Sequence, residues 1–247
     1  MRRKTLSTAL LAALLGPMLL GLDVDPNRDP NDPNLFQFVR IRYNMFGGSF
    51  AAFRMNSGPP WFHDYPRAEK NFLQIVLEVT GIQTTPSSYL ILDMDDPRIL
   101  EYPFLYVSEP GYWAATDEEV DNLREYFKRG GFVLFDDFRG SDELSGLISV
   151  MKRVFPDRDF RKLTLDHPIF HCFYDIETLD MVPPYPVPGP PTFLGWADED
   201  GRLQAVANFN NDIGDYWEWS DEAINPISYS NEAYKFGINY VVYALTH

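Results

Sequence analysis

Residues 130–137, Gly-Gly-Phe-Val-Leu-Phe-Asp-Asp, run a fully apolar strand-length stretch into a pair of carboxylates. A parallel strand buried on both faces reads this way, and open parallel sheets bind ligands beyond their strands' carboxyl ends. Asp136 and Asp137 are therefore the first site candidates. Two carboxylates in one crevice hold a hard cation through oxygen, or raise one another's pKa for proton transfer. Asp93, Asp95 and Asp96 follow another apolar run, and Glu109 a third. Each acid taken singly has an ordinary alternative use as a helix cap or a solvated turn.

A second cluster is Asp166-His167-Pro168-Ile169-Phe170-His171. With Pro168 in a first helical turn, His167 and His171 lie about one turn apart and could share a metal or a proton acceptor. The plainer alternative has Asp166 fixing a turn and His167 donating to a carbonyl. The third is residues 208–218, where Asp212, Asp215 and Glu218 accompany Trp217. It is not an EF-hand, because its glycine falls one place late and no Glu closes the loop. Oxygen side chains beside tryptophans suit a sugar, or simply an ordered turn. Arg40 and Arg42, at the end of a first predicted strand, would orient an anionic group or pair with Asp136 and Asp137. The candidate metal ligands are thus Asp136, Asp137, His167 and His171, for a divalent ion. Leu90-Ile-Leu-Asp93-Met-Asp95, Ser108 and Gly214-Asp215-x-x-Glu218 also follow the order of haloacid dehalogenase phosphatase motifs. The threonine usual after the first of these is missing, and no lysine is securely placed.

The elements that must position these residues alternate along the chain. Phe36 to Ile41, Tyr89 to Leu92, Phe104 to Val107 and residues 132–137 read as buried strands. Phe72, Ile75, Val76 and Val79 recur at helical spacing before Gly81. Thr116 and Glu119 form a capping box for a helix carrying Val120, Leu123 and Phe127. Leu144, Leu147, Ile148, Met151 and Phe155 mark the next helix. This alternation predicts an α/β fold, a mostly parallel sheet with helices on both faces. Leu194 to Ala197 and Leu203 to Phe209 predict a C-terminal hairpin, and Ser230 to Leu245 a final helix. Between them, Pro183, Pro184, Pro186, Pro188, Pro190 and Pro191 exclude a central strand, so the segment wraps the domain or meets a partner.

Three Asp-Pro-Asn triplets within residues 23–34 make a linker. Before it, Arg2, Arg3 and Lys4 precede an uncharged, Leu- and Ala-rich stretch to Leu22, which predicts a signal peptide or an N-terminal anchor over residues 1–22. The expected destination is the periplasm or the exterior, with membrane contact only through that segment if it is uncleaved. Across the 247 residues, 36 acids against 21 lysines and arginines give a net charge of −15. Such a surface repels nucleic acid and anionic lipid. One cysteine, Cys172, allows no internal disulfide.

Taken together, Phe36-Gln-Phe-Val-Arg40-Ile-Arg42-Tyr43, Tyr102-Pro-Phe-Leu-Tyr106, Leu123-Arg124 with residues 130–137, and Asp166-His167-Pro168-Ile169-Phe170 resemble a bacterial domain-of-unknown-function family, number 4159, over about residues 35–245. The resemblance implies a flavodoxin-like, class I glutamine amidotransferase-like fold in exported or membrane-attached proteins. Asp136-Asp137 then stand near the place of the glutaminase nucleophile cysteine, so glutaminase chemistry does not carry over. The resulting expectation is an exported domain, residues 35–247, that binds a small polar ligand or an envelope protein. A metal-dependent hydrolase built on the clustered Asp and His residues is the alternative.

Overall fold

The apolar runs do become strands, and a computed structural model, which describes residues 29–45 and 58–247, joins them into one seven-stranded sheet. The strands are β1 (Phe38–Arg42), β2 (Tyr89–Asp93), β3 (Phe104–Ser108), β4 (Phe132–Phe138), β5 (Arg161–Lys162), β6 (Thr192–Ala197) and β7 (Leu203–Phe209). Their spatial order is β2-β1-β3-β4-β7-β6-β5. The first five in that order run parallel, while β6 is antiparallel to both of its neighbours. The expected C-terminal hairpin is therefore β6–β7, with the two-residue β5 added outside it.

The helices are α1 (Arg67–Val79), α2 (Asp117–Lys128), α3 (Gly140–Val154), α4 (Ile213–Glu218) and α5 (Ile227–Thr246). Strand side chains alternate between two faces. Phe38, Phe104, Tyr106, Phe132 and Leu134 pack with Phe72 and Val76 of α1 and Phe236 and Tyr240 of α5. Val39, Ile41, Leu105, Val107, Val133 and Phe135 pack with Leu123 and Phe127 of α2 and Leu147 and Met151 of α3. Helices thus cover both faces, and the domain is mixed α/β. The capping box forms as its spacing predicts: the Glu119 backbone N–H donates to Thr116 Oγ1, and Glu119 Oε2 accepts from the Thr116 N–H. Phe155 is the C-cap of α3 and packs against the same core as Leu147 and Met151.

Residues 29–34 of the linker form repeated Asx turns, with Asn31 and Asn34 N–H donating to Asp29 and Asp32. Gln37 Nε2 donates to Pro30 O and ties these turns to the domain. The predicted signal or anchor over residues 1–22, the rest of the linker, and residues 46–57 lie outside the described residues. Among the described residues, no helix is long and apolar enough to cross a membrane. The proline-rich segment forms no strand and crosses the carboxyl edge of the sheet.

Candidate functional site

At the carboxyl end of β4 the ladder to β7 breaks: Phe135 pairs with Ala207 and Phe138 with Phe209, so three steps on β4 face two on β7. The extra residue is a bulge, and it re-aims the side chains at its position. Asp136 stays on the face of Tyr106 and is wholly buried. Its Oδ1 accepts from Asn208 Nδ2 at 3.0 Å. Its Oδ2 accepts from Tyr106 OH at 3.1 Å and from the Ile213 and Gly214 N–H groups at 3.0 and 2.9 Å. Asp136 thus pins the start of α4 to the centre of the sheet. Burial pushes its carboxyl up to about 7, against the pull of these donors. Gly214 lets the chain approach this closely, since a Cβ there would sit 2.5 Å from Tyr106 OH and 2.8 Å from Asp64 Oδ2.

Asp137 adopts φ 54°, a left-handed conformation uncommon for any residue but glycine. Its carboxylate faces His63, whose Nδ1 lies 3.5 Å from Asp137 Oδ2 and 3.0 Å from Glu109 Oε1. Glu109, one residue past β3, is itself left-handed at φ 47°. Tyr43 OH donates to the carbonyls of both Ser108 and Glu109 and holds that corner. His63 and Asp64 come from the turn before α1, with Asp64 at φ 63°. Asp212 caps α4 by accepting from the Asp215 N–H at 2.8 Å. The proline-rich segment brings Tyr185, whose hydroxyl donates to Asp137 Oδ1 while Arg139 lies 4.3 Å from its ring.

Three groups result whose potential ligand atoms lie within 4.8 Å of one another: His63, Glu109 and Asp137; Asp64, Asp137 and Asp212; and Asp64, Asp215 and Glu218. Crowding so many acids out of water raises their affinity for protons. Burial, reinforced by Asp137, pushes the Asp64, Asp212 and Asp215 carboxyls above their ordinary range. Burial and then Asp215 do the same to Glu218. Burial opposes a charge on His63, but Asp137 and Glu109 outweigh it and hold the imidazole up to about 10. The rim thus gathers mutually repelling carboxyls around one imidazolium.

The residues singled out in the sequence divide sharply. Asp136, Asp137, Asp212, Asp215 and Glu218 meet at the rim. Arg40 does not pair with Asp136 or Asp137; it is buried against Glu69 of α1, donates to Trp61 O at 3.0 Å and lies 4.7 Å from the Tyr106 ring. Alternation along β1 aims it under α1 rather than out of the edge. Arg42 binds Asp93 on the exposed side of edge strand β2. That ion pair occupies the aspartate of the phosphatase-like motif, which enters none of the three groups. Trp217 is core, tilted against Phe72 with ring centroids 4.3 Å apart, and closed to solvent.

His167 and His171 belong to the other end of the sheet. His167 lies beside Gly195, Ala197 and Leu203, and its ring is 6.2 Å from that of Tyr243. Leu203 begins β7 and Asn208 nearly ends it, a separation of roughly 17 Å along the strand. His167 Nδ1 accepts from the Ile169 N–H, while both nitrogens of His171 are engaged, by Asp175 and by Leu165 O. Asp166 accepts from Thr164 in the same turn. His63 and Asp64 escaped the sequence reading because they fall between Trp61 and the helix expected from Pro66, in a stretch with no periodicity or motif of its own. Its position after a predicted parallel strand was the available signal.

A three-layer α/β domain with an acidic, histidine-bearing rim at its parallel strands' carboxyl edge is the class these features define. The family model described as "Domain of unknown function (DUF4159)" matches residues 37–245, and the chain belongs to that family. No curated protein matches it.

Proposed function

We propose that this chain is an exported ligand-binding domain of flavodoxin-like, class I glutamine amidotransferase-like arrangement, whose rim binds a divalent cation. The parallel order β2-β1-β3-β4-β7 supports that arrangement, because winding reverses between β1 and β3 as in flavodoxin-like sheets. A crevice opens where winding reverses; His63 follows β1 there, and Glu109 follows β3. In that proposed arrangement Asp136 and Asp137 stand near the place of the glutaminase nucleophile cysteine. A carboxylate there forms no thioester. Cys172 is remote from it, with its Sγ directed at the Asn239 carbonyl. Export rests on the basic start and apolar stretch of residues 1–22.

The observation that carries the cation reading is the convergence of His63, Glu109 and Asp137 from three separate segments, with ligand atoms within 4.8 Å. One imidazole and two carboxylates suit manganese, iron(II) or zinc, and a bound ion would relieve the repulsion described above. The test is equilibrium dialysis of chelator-stripped full-length protein against Mn²⁺ or Zn²⁺, followed by elemental analysis. At least one ion per chain is expected, lost in Asp137→Asn and His63→Ala. A wild-type chain that retains no ion overturns the reading.

A second reading, a metal-dependent hydrolase, is favoured by Asp215 and Glu218. Burial biases these carboxyls toward their protonated form, suited to a general acid beside a cation. It requires turnover of aryl phosphates or esters that disappears in Asp137→Asn.

A further inference from the structure

The three groups at the rim interlock, since Asp137 belongs to two of them and Asp64 to two. The geometry points to a paired-cation centre, with one ion at His63, Glu109 and Asp137, a second at Asp64, Asp215 and Glu218, and the Asp64, Asp137 and Asp212 group linking the two sets. This rests on the cation reading above and adds the second ion. Two observations besides the acids themselves support it. Asp64 Oδ2 is closed to solvent and has no hydrogen-bond partner, although its carboxylate borders both acidic groups. Ser108 Oγ is likewise buried and unpartnered in a side chain with no exposed surface. Ser108 pairs in register with Asp136, and alternation puts both side chains on the face of Tyr106, beneath the rim. Buried polar atoms are almost always partnered, and these two lie where a cation and its bound water would satisfy them.

The charge balance agrees. A divalent ion that displaces the His63 proton adds one net positive charge against the six carboxylates in the three groups, and a second ion at oxygen ligands alone adds two. The second set offers oxygen only, which selects a hard cation such as Mg²⁺, Mn²⁺ or Ca²⁺, while the imidazole of the first admits softer metals.

Metal-free full-length protein is titrated with Mn²⁺, bound ions are counted by elemental analysis after dialysis, and electron paramagnetic resonance spectra are recorded. Two ions per chain and a spin-coupled spectrum are expected. Glu218→Gln and Asp215→Asn, both at half-buried positions, should each fall to one ion with an uncoupled spectrum, and their far-ultraviolet circular dichroism should match wild type. His63→Ala should lose the other ion. One ion in wild type, unchanged in Glu218→Gln, overturns the pair and leaves the single-cation reading standing. No ion at all overturns both. Two ions insensitive to Glu218→Gln and Asp215→Asn overturn the ligands assigned to the second position.

Discussion

The two ends of the sheet carry polar residues of the same kinds and treat them in opposite ways. At the amino end, Asp166, His167 and His171 satisfy one another's neighbourhood within a single turn, through Thr164, the Ile169 N–H, Asp175 and the Leu165 carbonyl. At the carboxyl end, His63, Asp64, Glu109, Asp137, Asp212, Asp215 and Glu218 arrive from separate segments and face chiefly each other. Asp64, Glu109 and Asp137 do so from left-handed backbone, which costs about 1–3 kcal/mol each and collects at functional sites. Polar groups close in sequence can complete their own hydrogen bonds. Groups gathered by the fold with their charges unresolved are the ones left to act on a ligand.

Asp136 and Asp137 repeat the contrast at adjacent positions, and the largest expected effect lies there. Asp136→Asn turns an amide NH₂ toward donors that need an acceptor, so urea unfolding should show a loss of about 3 kcal/mol or more. Asp137→Asn keeps the fold and should weaken cation binding at least tenfold by calorimetry. Equal destabilisation by the two variants would erase the distinction.

Acidity tests the strain at the rim. The raised carboxyls of Asp64, Asp212, Asp215 and Glu218, with Asp136 up to about 7, mean that the native state binds more protons than the unfolded chain. Stability from such groups is complete below their ordinary carboxylate range and is lost as pH rises through the folded values. His63, raised to about 10, acts in the same direction at higher pH. The melting temperature of metal-free protein should therefore fall between about pH 4 and pH 8. Saturating Mn²⁺ should restore more of it at pH 8 than at pH 5, because ligation needs the deprotonated carboxylates. A melting temperature that rises over that span contradicts the sign.

The smallest effect belongs to the amino end. His167→Ala removes one side-chain acceptor at a short helical turn and should cost about 1 kcal/mol. Cation affinity should be unchanged in the same protein; a loss there would tie the two ends together.

Much of the rim was legible in the chain, and the reason is local. Residues 132–137 are long and apolar enough to be only a buried strand, and Glu109 likewise follows an apolar run. Asp212, Asp215 and Glu218 stand out as a dense oxygen-rich turn. The alternating elements gave the layers, the capping box and the C-terminal hairpin. The sequence could not tell which edge the histidine turn joins. That depends on β5 being two residues long and β6 running backwards, which lets residues 163–171 return to the amino end. The fate of Arg40 likewise turned on which face α1 covers, and that of Trp217 on the aromatic cluster around Phe72. His63 and Asp64 lacked any pattern of their own; only the path of the chain after β1 brings them to the rim.

The most direct test is anomalous diffraction at the manganese edge from crystals of the Mn²⁺-loaded chain. The account predicts a peak within coordination distance of His63, Glu109 and Asp137. A loaded crystal with its only peak at His167 and His171, or with none at the rim, would contradict it.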